Sequence, residues 1–290
     1  MKHISKFLII AILCFALCAC NSTHPAQIAA TTAPVRLFAS ALCEGTDLTV
    51  CQVVTESVSC LHDYTLTVGQ MQMVESAELV IISGAGLEEF MEDVLEGRNM
   101  LDASQNIPLL EMDGSHHEEQ EAHHHEHDPH IWLSPANARI MAENICRGLS
   151  AQYPEHTDTF ERNLEDLVIR LQELQAYGEA ELTELACREL ITFHDGFGYL
   201  ADAFDLEILE AIEEESGSEA SAQELIGLIE EVEHRNLPAV FTEINGSASA
   251  AGVICAETGT ASYSLDMAMS GEDYFECMYH NIDTLKEALQ

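Results

Sequence analysis

Short apolar runs alternate with helix-period stretches on both sides of one long helical pattern, and this alternation restricts the fold more than any other feature. The apolar runs are Leu48–Val54, Leu79–Ile82, Ile107–Leu110, Leu190–Phe193, Leu206–Leu209, Ala239–Thr242 and Ser262–Leu265. The helix-period stretches between them are Val68–Ser76, Leu87–Leu95, Ala136–Leu149, Ala222–His234 and Ser247–Thr258. Strands that alternate with helices form parallel sheets covered by helices. The pattern therefore predicts an α/β protein of two lobes, residues 35–152 and 187–290.

The long central pattern predicts one helix that joins the two lobes across residues 153–186. Pro154 suits a helix start, and apolar residues then recur at steps of 4, 3, 4 and 3, namely Phe160, Leu164, Leu167, Leu171 and Leu174. This spacing gives a single apolar stripe, and a helix of some 30 residues spans on the order of 45 Å. A coiled-coil or dimer helix is the alternative. A rigid link suits the flanking strand–helix patterns better.

The N-terminus has the features of a processed export signal. Lys2 and Lys6 precede the short apolar stretch Phe7–Ala16, which is too brief to span a bilayer as a mature helix. Leu17–Cys20 fits a bacterial lipobox, which predicts a signal peptide over residues 1–19 and lipidation of Cys20. An ordinary secretory signal is the alternative, and both send the chain outside the cytoplasmic membrane. Residues 20–34 are small and polar and predict a tether.

The charge of the chain restricts its partners. The net charge is −40, so nucleic acid and anionic lipid surfaces are unfavourable partners, whereas a cation is a natural one. The lysines are Lys2, Lys6 and Lys286, and none follows a glycine. A P-loop Gly-Lys-Ser/Thr is therefore absent from this sequence. If ATP drives the work of the protein, another chain hydrolyses it.

A histidine-rich tract indicates metal handling. Gly114–His127 contains six histidines and four glutamates, and imidazole is a common ligand of zinc and related divalent metals. The predicted loop, residues 113–128, is too acidic and flexible to form a defined site. Its histidines are predicted to act as an accessory collector or mobile lid: His116, His117, His123, His124, His125 and His127. A merely tolerated, solvated loop is the alternative.

Four single residues, two in each predicted lobe, suit a defined metal site. Ligands collect at the carboxyl ends of strands in open α/β sheets, where His194 and Asp266 directly follow predicted strands. His130 ends the histidine-rich loop, and His62 lies eight residues beyond a strand. Three imidazoles and one carboxylate form a four-coordinate set that suits Zn²⁺. Each also has an ordinary alternative: a core histidine, a continuation of the tract, a turn residue or a surface turn.

Neighbouring side chains have weaker assignments. Glu243 is predicted either to contact the metal ligands without binding the metal itself or to form a plain ion pair. Asp128 is predicted to orient an imidazole, and its alternative is an ordinary solvated acid, which is common in so acidic a chain. Cys51 and Cys60 are close enough in sequence to pair in an oxidising exterior. Sequence spacing does not establish that pairing.

An ordered series of motifs makes a resemblance specific over residues 35–290. The matching stretches are Cys60–Tyr64, Gly84–Glu88, Asp128–Pro135, Phe193–Phe197, Phe241–Glu243, Glu257–Gly259 and the ending from Asp266 through Asn281–Leu285. Through them the chain resembles the solute-binding proteins of zinc and manganese ABC importers. The resemblance implies two lobes joined by a rigid helix, with a metal in the cleft. It also implies that His62, His130, His194 and Asp266 are the ligands, and that the histidine-rich insertion accompanies zinc.

One departure from the family pattern concerns the first lobe. The family opens with a strand and a full helix, whereas here only Ala39–Gly45 separates an apparent strand, Val35–Phe38, from Leu48–Val54. The first helix is therefore expected to be shortened or missing.

These observations predict a monomeric zinc receptor, lipid-anchored outside the bacterial membrane, that delivers Zn²⁺ to an ABC permease with a separate ATPase. Its affinity should fall as the histidines become protonated. The alternatives are an exported zinc-dependent hydrolase, and a manganese receptor or surface adhesin on the same scaffold. The sequence contains no His-Glu-x-x-His motif that would support the hydrolase.

Overall fold

A computed structural model describes residues 26–56, 61, 64–111, 127–211, 221–269 and 273–290. The predicted signal peptide, Cys20, Cys60, His62 and five of the six tract histidines lie outside these ranges. Among the residues described, no helix is both long and apolar enough to cross a membrane.

The first lobe is built on a parallel sheet whose strands run in the order β2-β1-β3-β4. The strands are β1 (Ile28–Ala30), β2 (Val50–Gln52), β3 (Leu79–Ile82) and β4 (Met100–Asp102). The helices are α1 (Ala33–Leu42), α2 (Val68–Ser76), α3 (Glu92–Leu95) and α4 (Pro135–Gln152), with 3-10 turns at Glu89–Met91 and Ile131–Leu133. In this register Ile28 lies beside both Val50 and Leu79, so the first strand is central in the sheet.

The first strand and helix correct two predictions. Residues 28–34, predicted to belong to a tether, contain β1 and the start of α1, and Val35–Phe38 is helical and not a strand. The buried residues Val35, Phe38, Ala39 and Leu42 recur at helical spacing, and the preceding Pro34 is tolerated in the first turn. The first helix is therefore present with ten residues. The predicted series of strands and helices therefore begins one element too late, because it omits β1.

The fourth strand corrects a third prediction. Ile107–Leu110 lies outside any strand, and β4 is formed by Met100–Asp102 instead. The Leu110 carbonyl accepts from the Asp128 amide at 2.9 Å, and the Leu110 amide donates to the Tyr199 hydroxyl at 2.9 Å. The main chain of this segment is thus bonded to the far end of the histidine-rich loop and to the second lobe, and not to a sheet.

The second lobe repeats the architecture of the first. Its parallel sheet has the order β6-β5-β7-β8, formed by β5 (Glu189–Thr192), β6 (Glu207–Ala211), β7 (Ala239–Glu243) and β8 (Ala261–Leu265). The helices are α6 (Gly198–Ala203), α7 (Ala222–Arg235), α8 (Ser249–Thr258) and α9 (Tyr274–Leu289). These strands agree with the predicted ones within two residues.

One helix, α5 (Thr157–Glu181), links the lobes after a 3-10 turn at Pro154–His156. Its 25 residues extend over roughly 37 Å. Four residues of the predicted stripe, Phe160, Leu167, Leu171 and Leu174, are buried. The helix contacts α1 and α4 of the first lobe and α9 of the second. The apolar stripe is therefore covered within the chain, as a strut between lobes requires, and one continuous apolar core includes residues of both lobes.

Candidate metal centre

The predicted ligands of the second lobe lie at the carboxyl ends of its strands. His194 comes two residues after the end of β5, and Asp266 comes directly after β8. Glu243 is the last residue of β7 and pairs in register with Leu265, so it lies next to Asp266 along the sheet edge. Parallel strands place these carboxyl ends on one side of the sheet. That side faces the first lobe at His130.

His130 is buried and oriented by Asp128. The imidazole Nδ1 lies 2.8 Å from Asp128 Oδ1, and the same oxygen accepts from the His130 amide at 2.8 Å. Both residues are less than one-tenth exposed. A carboxylate on one ring nitrogen fixes the ring and leaves the other nitrogen for a metal. The contact predicted for Asp128 is therefore present.

The histidines of the two lobes meet. The ring centroids of His130 and His194 are 5.3 Å apart and the rings are nearly perpendicular, at 83°. His194 is only 6% exposed. Its carbonyl accepts from the Thr192 hydroxyl at 3.0 Å, which fixes the turn after β5. Two imidazoles separated by 64 residues in sequence thus share one buried space.

Two glycines leave room for this arrangement. A Cβ on Gly196 would lie 2.6 Å from His194 Cδ2 and 2.8 Å from Met267 Cε, and a Cβ on Gly198 would lie 2.8 Å from Asp128 Oδ2. These distances are shorter than ordinary contacts, so a side chain at either position would push a predicted ligand or its carboxylate partner.

Trp132 and Tyr274 join the two ligand-bearing segments. The Trp132 indole donates to the Met267 carbonyl at 2.8 Å, and the Tyr274 hydroxyl donates to the Trp132 carbonyl at 2.7 Å. Trp132 follows His130 by two residues, and Met267 is adjacent to Asp266. We call these two hydrogen bonds the Trp132 clasp. The clasp was not predicted from the sequence, although the single tryptophan of the chain lies two residues from a predicted ligand.

Asp266 is held mainly by its own turn and by α9. Its Oδ1 accepts from the Ala268 amide at 2.7 Å. The Asn281 side chain accepts from the Asp266 amide and donates to its carbonyl, both at 2.7 Å. Burial, together with the adjacent Asp266 carboxylate, raises the pKa of the Cys277 thiol to about 12. Asn281 and Cys277 were not identified as site residues from the sequence, although Asn281 belonged to a matching motif.

The turn Gly84–Glu88 is a matching motif with no predicted role, and it lies at the carboxyl end of β3. The Glu88 carboxylate is buried and accepts from the Thr31 hydroxyl at 2.6 Å and from the Ser83 and Gly84 amides at 2.7 and 3.0 Å. Burial nevertheless raises the pKa of Glu88 to about 7. Gly84, Ala85 and Gly86 all have positive φ, from 55° to 91°. Glu88 therefore holds an unusual turn to the end of β1.

The described residues complete only part of the predicted ligand set. They bring His130 and His194 together, but they contain no group of three His, Cys, Asp or Glu side chains arranged to hold a metal. His62 lies outside these residues. The four-residue ligand set therefore stays a prediction: His130, His194 and Asp266 are described, and the rings of the two histidines lie together.

The remaining predicted residues have different outcomes. His127 forms an antiparallel bridge with Glu111, at the base of the histidine-rich loop, and the other tract histidines lie outside the described ranges. Cys51 forms no disulfide with a described cysteine, and its Sγ lies 3.5 Å from the Ile28 carbonyl oxygen. Because Cys60 is not described, the Cys51–Cys60 pairing stays a prediction, as does lipidation of Cys20. Glu243 is buried at the sheet edge, and its supporting role is likewise a prediction.

Known proteins resemble this chain both in sequence and in structure. A protein of Treponema pallidum (strain Nichols) is 27% identical over 99% of this chain and 97% of its own length. The zinc-binding lipoprotein AdcA of Streptococcus pneumoniae (strain ATCC BAA-255 / R6) is 30% identical over 78% of this chain, which spans only 48% of that relative. The crystal structure of ZnuA superposes with a TM-score of 0.80 at 27% identity, covering 90% of this chain and 98% of that one.

The family model described as "Zinc-uptake complex component A periplasmic" matches residues 28–288. The match begins at the first residue of β1 and ends within α9, so it covers both lobes and the linking helix. This chain therefore belongs to the family of the zinc-uptake complex component A.

Proposed function

We propose that this protein is an extracytoplasmic receptor that binds Zn²⁺ between its lobes and delivers it to an ABC permease served by a separate ATPase. The observation that carries the proposal is the buried pair of His130 and His194, one from each lobe, with Asp128 on the Nδ1 of His130. A pair of imidazoles with one ring nitrogen fixed by a carboxylate is a usual arrangement for a divalent zinc ion.

The proposed ligands are His62, His130, His194 and Asp266. Three imidazole nitrogens and one carboxylate oxygen would fill a tetrahedral shell and leave no position for a reactive water. Catalytic zinc keeps such a position open. A closed shell therefore favours binding and transport over hydrolysis, and we propose that the protein is not an enzyme.

The donor set also favours zinc over manganese. Manganese prefers more oxygen ligands, whereas imidazole suits zinc. A carboxylate in place of His194 would have suited manganese better. The proposed cargo is accordingly Zn²⁺, and the histidine-rich loop would be an accessory collector that raises its local concentration.

The proposed location is the outer side of the bacterial cytoplasmic membrane, with attachment through a lipidated Cys20. The chain would act as a monomer, because the apolar stripe of α5 is buried against helices of its own two lobes. The acidic chain would also attract cations and speed their capture in a salt-dependent way.

Metal release would use movement of local segments in preference to wide opening of the lobes. The lobes share an apolar core, and the Trp132 clasp joins the segments on either side of the cleft. Wide separation would expose that core and break both hydrogen bonds. Movement of a single ligand-bearing segment costs less free energy than wide separation of the lobes.

Alanine substitution of the described histidines tests the proposal. We expect His130→Ala and His194→Ala each to weaken Zn²⁺ binding on the order of 100-fold or more, because loss of a supporting partner alone costs about 10–100-fold. Binding is measured by competition with a chromogenic chelator, and stoichiometry by native mass spectrometry of untagged protein. His280→Ala, at an exposed position on α9, is the matched control.

Two results would contradict the proposal. Wild-type affinity in both His130→Ala and His194→Ala would exclude this ligand pair. Zinc-dependent turnover of peptide or phosphoester substrates by the wild-type protein, lost in these variants, would favour the hydrolase instead.

A further inference from the structure

The C-terminal helix α9 holds the main chain of Asp266 through Asn281. Asn281 is fully buried. Its side chain faces the end of β8, where Asp266 begins the following turn.

Asn281 continues the hydrogen-bond pattern of the sheet beyond its last strand residue. The ladder ends where the Leu265 carbonyl accepts from the Ile244 amide at 2.9 Å. The next amide and carbonyl belong to Asp266, and the Asn281 side chain bonds to both at 2.7 Å. An amide side chain that donates and accepts at once fixes the orientation of the peptide groups on both sides of Asp266, and hence the direction of its Cα–Cβ bond.

The side chain of Asp266 is held by its own turn. Its Oδ1 accepts from the Ala268 amide at 2.7 Å. The main chain and the carboxylate of Asp266 therefore both have hydrogen-bond partners within the second lobe.

We propose that Asn281 is a positioning residue that sets how tightly the site holds its metal by fixing Asp266. The inference rests on the proposed function, in which Asp266 is a ligand. A ligand that is already held in place loses less conformational freedom when the metal binds. Removing such supporting partners typically weakens metal binding by about 10–100-fold.

The first lobe supplies a matched control for Asn281. Asn144 is a buried asparagine on α4, and its Nδ2 donates to the Ala103 and Gln105 carbonyls at 2.8 Å each. Asn144→Ala therefore removes a buried asparagine that bonds to the main chain, at a position away from Asp266.

The experiment compares the Zn²⁺ affinity and unfolding temperature of Asn281→Ala with those of Asn144→Ala. We expect Asn281→Ala to weaken Zn²⁺ binding by about 10–100-fold. The control should bind within about twofold of wild type, although it should lower the unfolding temperature comparably to Asn281→Ala.

A Co²⁺ absorption spectrum provides a readout that loss of stability alone would not move. Co²⁺ replaces Zn²⁺ as the probe, and its visible bands depend on the geometry of the ligands. We expect the bands to change in Asn281→Ala and to remain in Asn144→Ala.

Asp266→Ala separates failure of this inference from failure of the proposed function. If Asp266→Ala binds Zn²⁺ like wild type, Asp266 is not a ligand, and both the proposed ligand set and this inference are overturned. If it binds weakly while Asn281→Ala matches its control, only the inference is overturned. Should Asn281→Ala fail to fold, Asn281→Ser decides, because a serine hydroxyl is too short to bond to both main-chain groups of Asp266. Wild-type affinity in Asn281→Ser then overturns the inference.

Discussion

The Trp132 clasp predicts that removing one hydroxyl oxygen will destabilise the whole molecule. Tyr274→Phe keeps the ring and deletes only the hydroxyl that donates to the Trp132 carbonyl at 2.7 Å. Tyr274 is 2% exposed, and Trp132 is fully buried. The substitution therefore leaves a carbonyl that has lost its donor in a region where water does not readily replace it.

The size of the effect follows from that burial. A buried acceptor left without its donor costs about 1–3 kcal/mol, more than the net value of about 1 kcal/mol for an ordinary hydrogen bond. The cost of lost apolar contact is small, because no carbon atom is removed. We therefore expect the free energy of unfolding to fall by about 1–3 kcal/mol, which for a chain of this size lowers the unfolding temperature by about 2–4 °C per kcal/mol.

Urea denaturation followed by tryptophan fluorescence measures this change, since the single tryptophan lies in the clasp. Tyr279→Phe is the matched control, because Tyr279 lies on the same helix, is only partly buried and packs edge-on against Tyr177 at 5.1 Å. It should change the free energy of unfolding by less than about 0.5 kcal/mol. Equal free energies of unfolding for the two variants would show that the clasp does not hold the lobes together.

Two further predictions concern the turn at the end of β3. Gly84→Ala places a Cβ 2.1 Å from Asp102 Oδ1 at a φ of +85°, so it should lower the free energy of unfolding by more than about 2 kcal/mol. The control is Gly45→Ala, which has a similar φ of +80° but open space around the new Cβ, and it should lower this free energy by only about 1–2 kcal/mol. Thermal or urea unfolding measures both. Because burial raises the pKa of Glu88 from 4.5 to about 7, the proton stabilises the fold, and the free energy of unfolding should fall by up to about 3 kcal/mol as pH rises from about 4.5 to 7. Glu88→Gln should remove that part of the pH dependence; parallel pH profiles for the two proteins would contradict the assignment.

The histidine pair illustrates what the sequence predicted and what it left open. The position of His194 after a strand was readable, because a short apolar run ends directly before it. Its neighbour in space was not, because the 5.3 Å approach to His130 depends on how two separate sheets pack around α5. Strand ends identify an edge of a sheet, whereas the distance across the cleft depends on tertiary packing.

The first lobe shows where pattern reading fails and why. Ile28–Ala30 is a strand of three residues, too short for an alternation or a run to stand out from a small-residue segment. Without this strand, the predicted pattern puts Val35–Phe38 in its place, although Val35, Phe38 and Leu42 recur at helical spacing. The prediction of a strand at Ile107–Leu110 was wrong for another reason. The main chain of Leu110 bonds to Asp128 and Tyr199, and local sequence spacing does not indicate such distant partners.

Local spacing and side-chain type are enough to predict the alternation of strands and helices, the long linking helix and the candidate metal ligands. The packing of the two lobes places His130 beside His194 and bonds Trp132 to Met267 and Tyr274. These two hydrogen bonds join residues 135 and 142 positions apart in sequence. Such bonds form only when the packing of the core has brought their partners together.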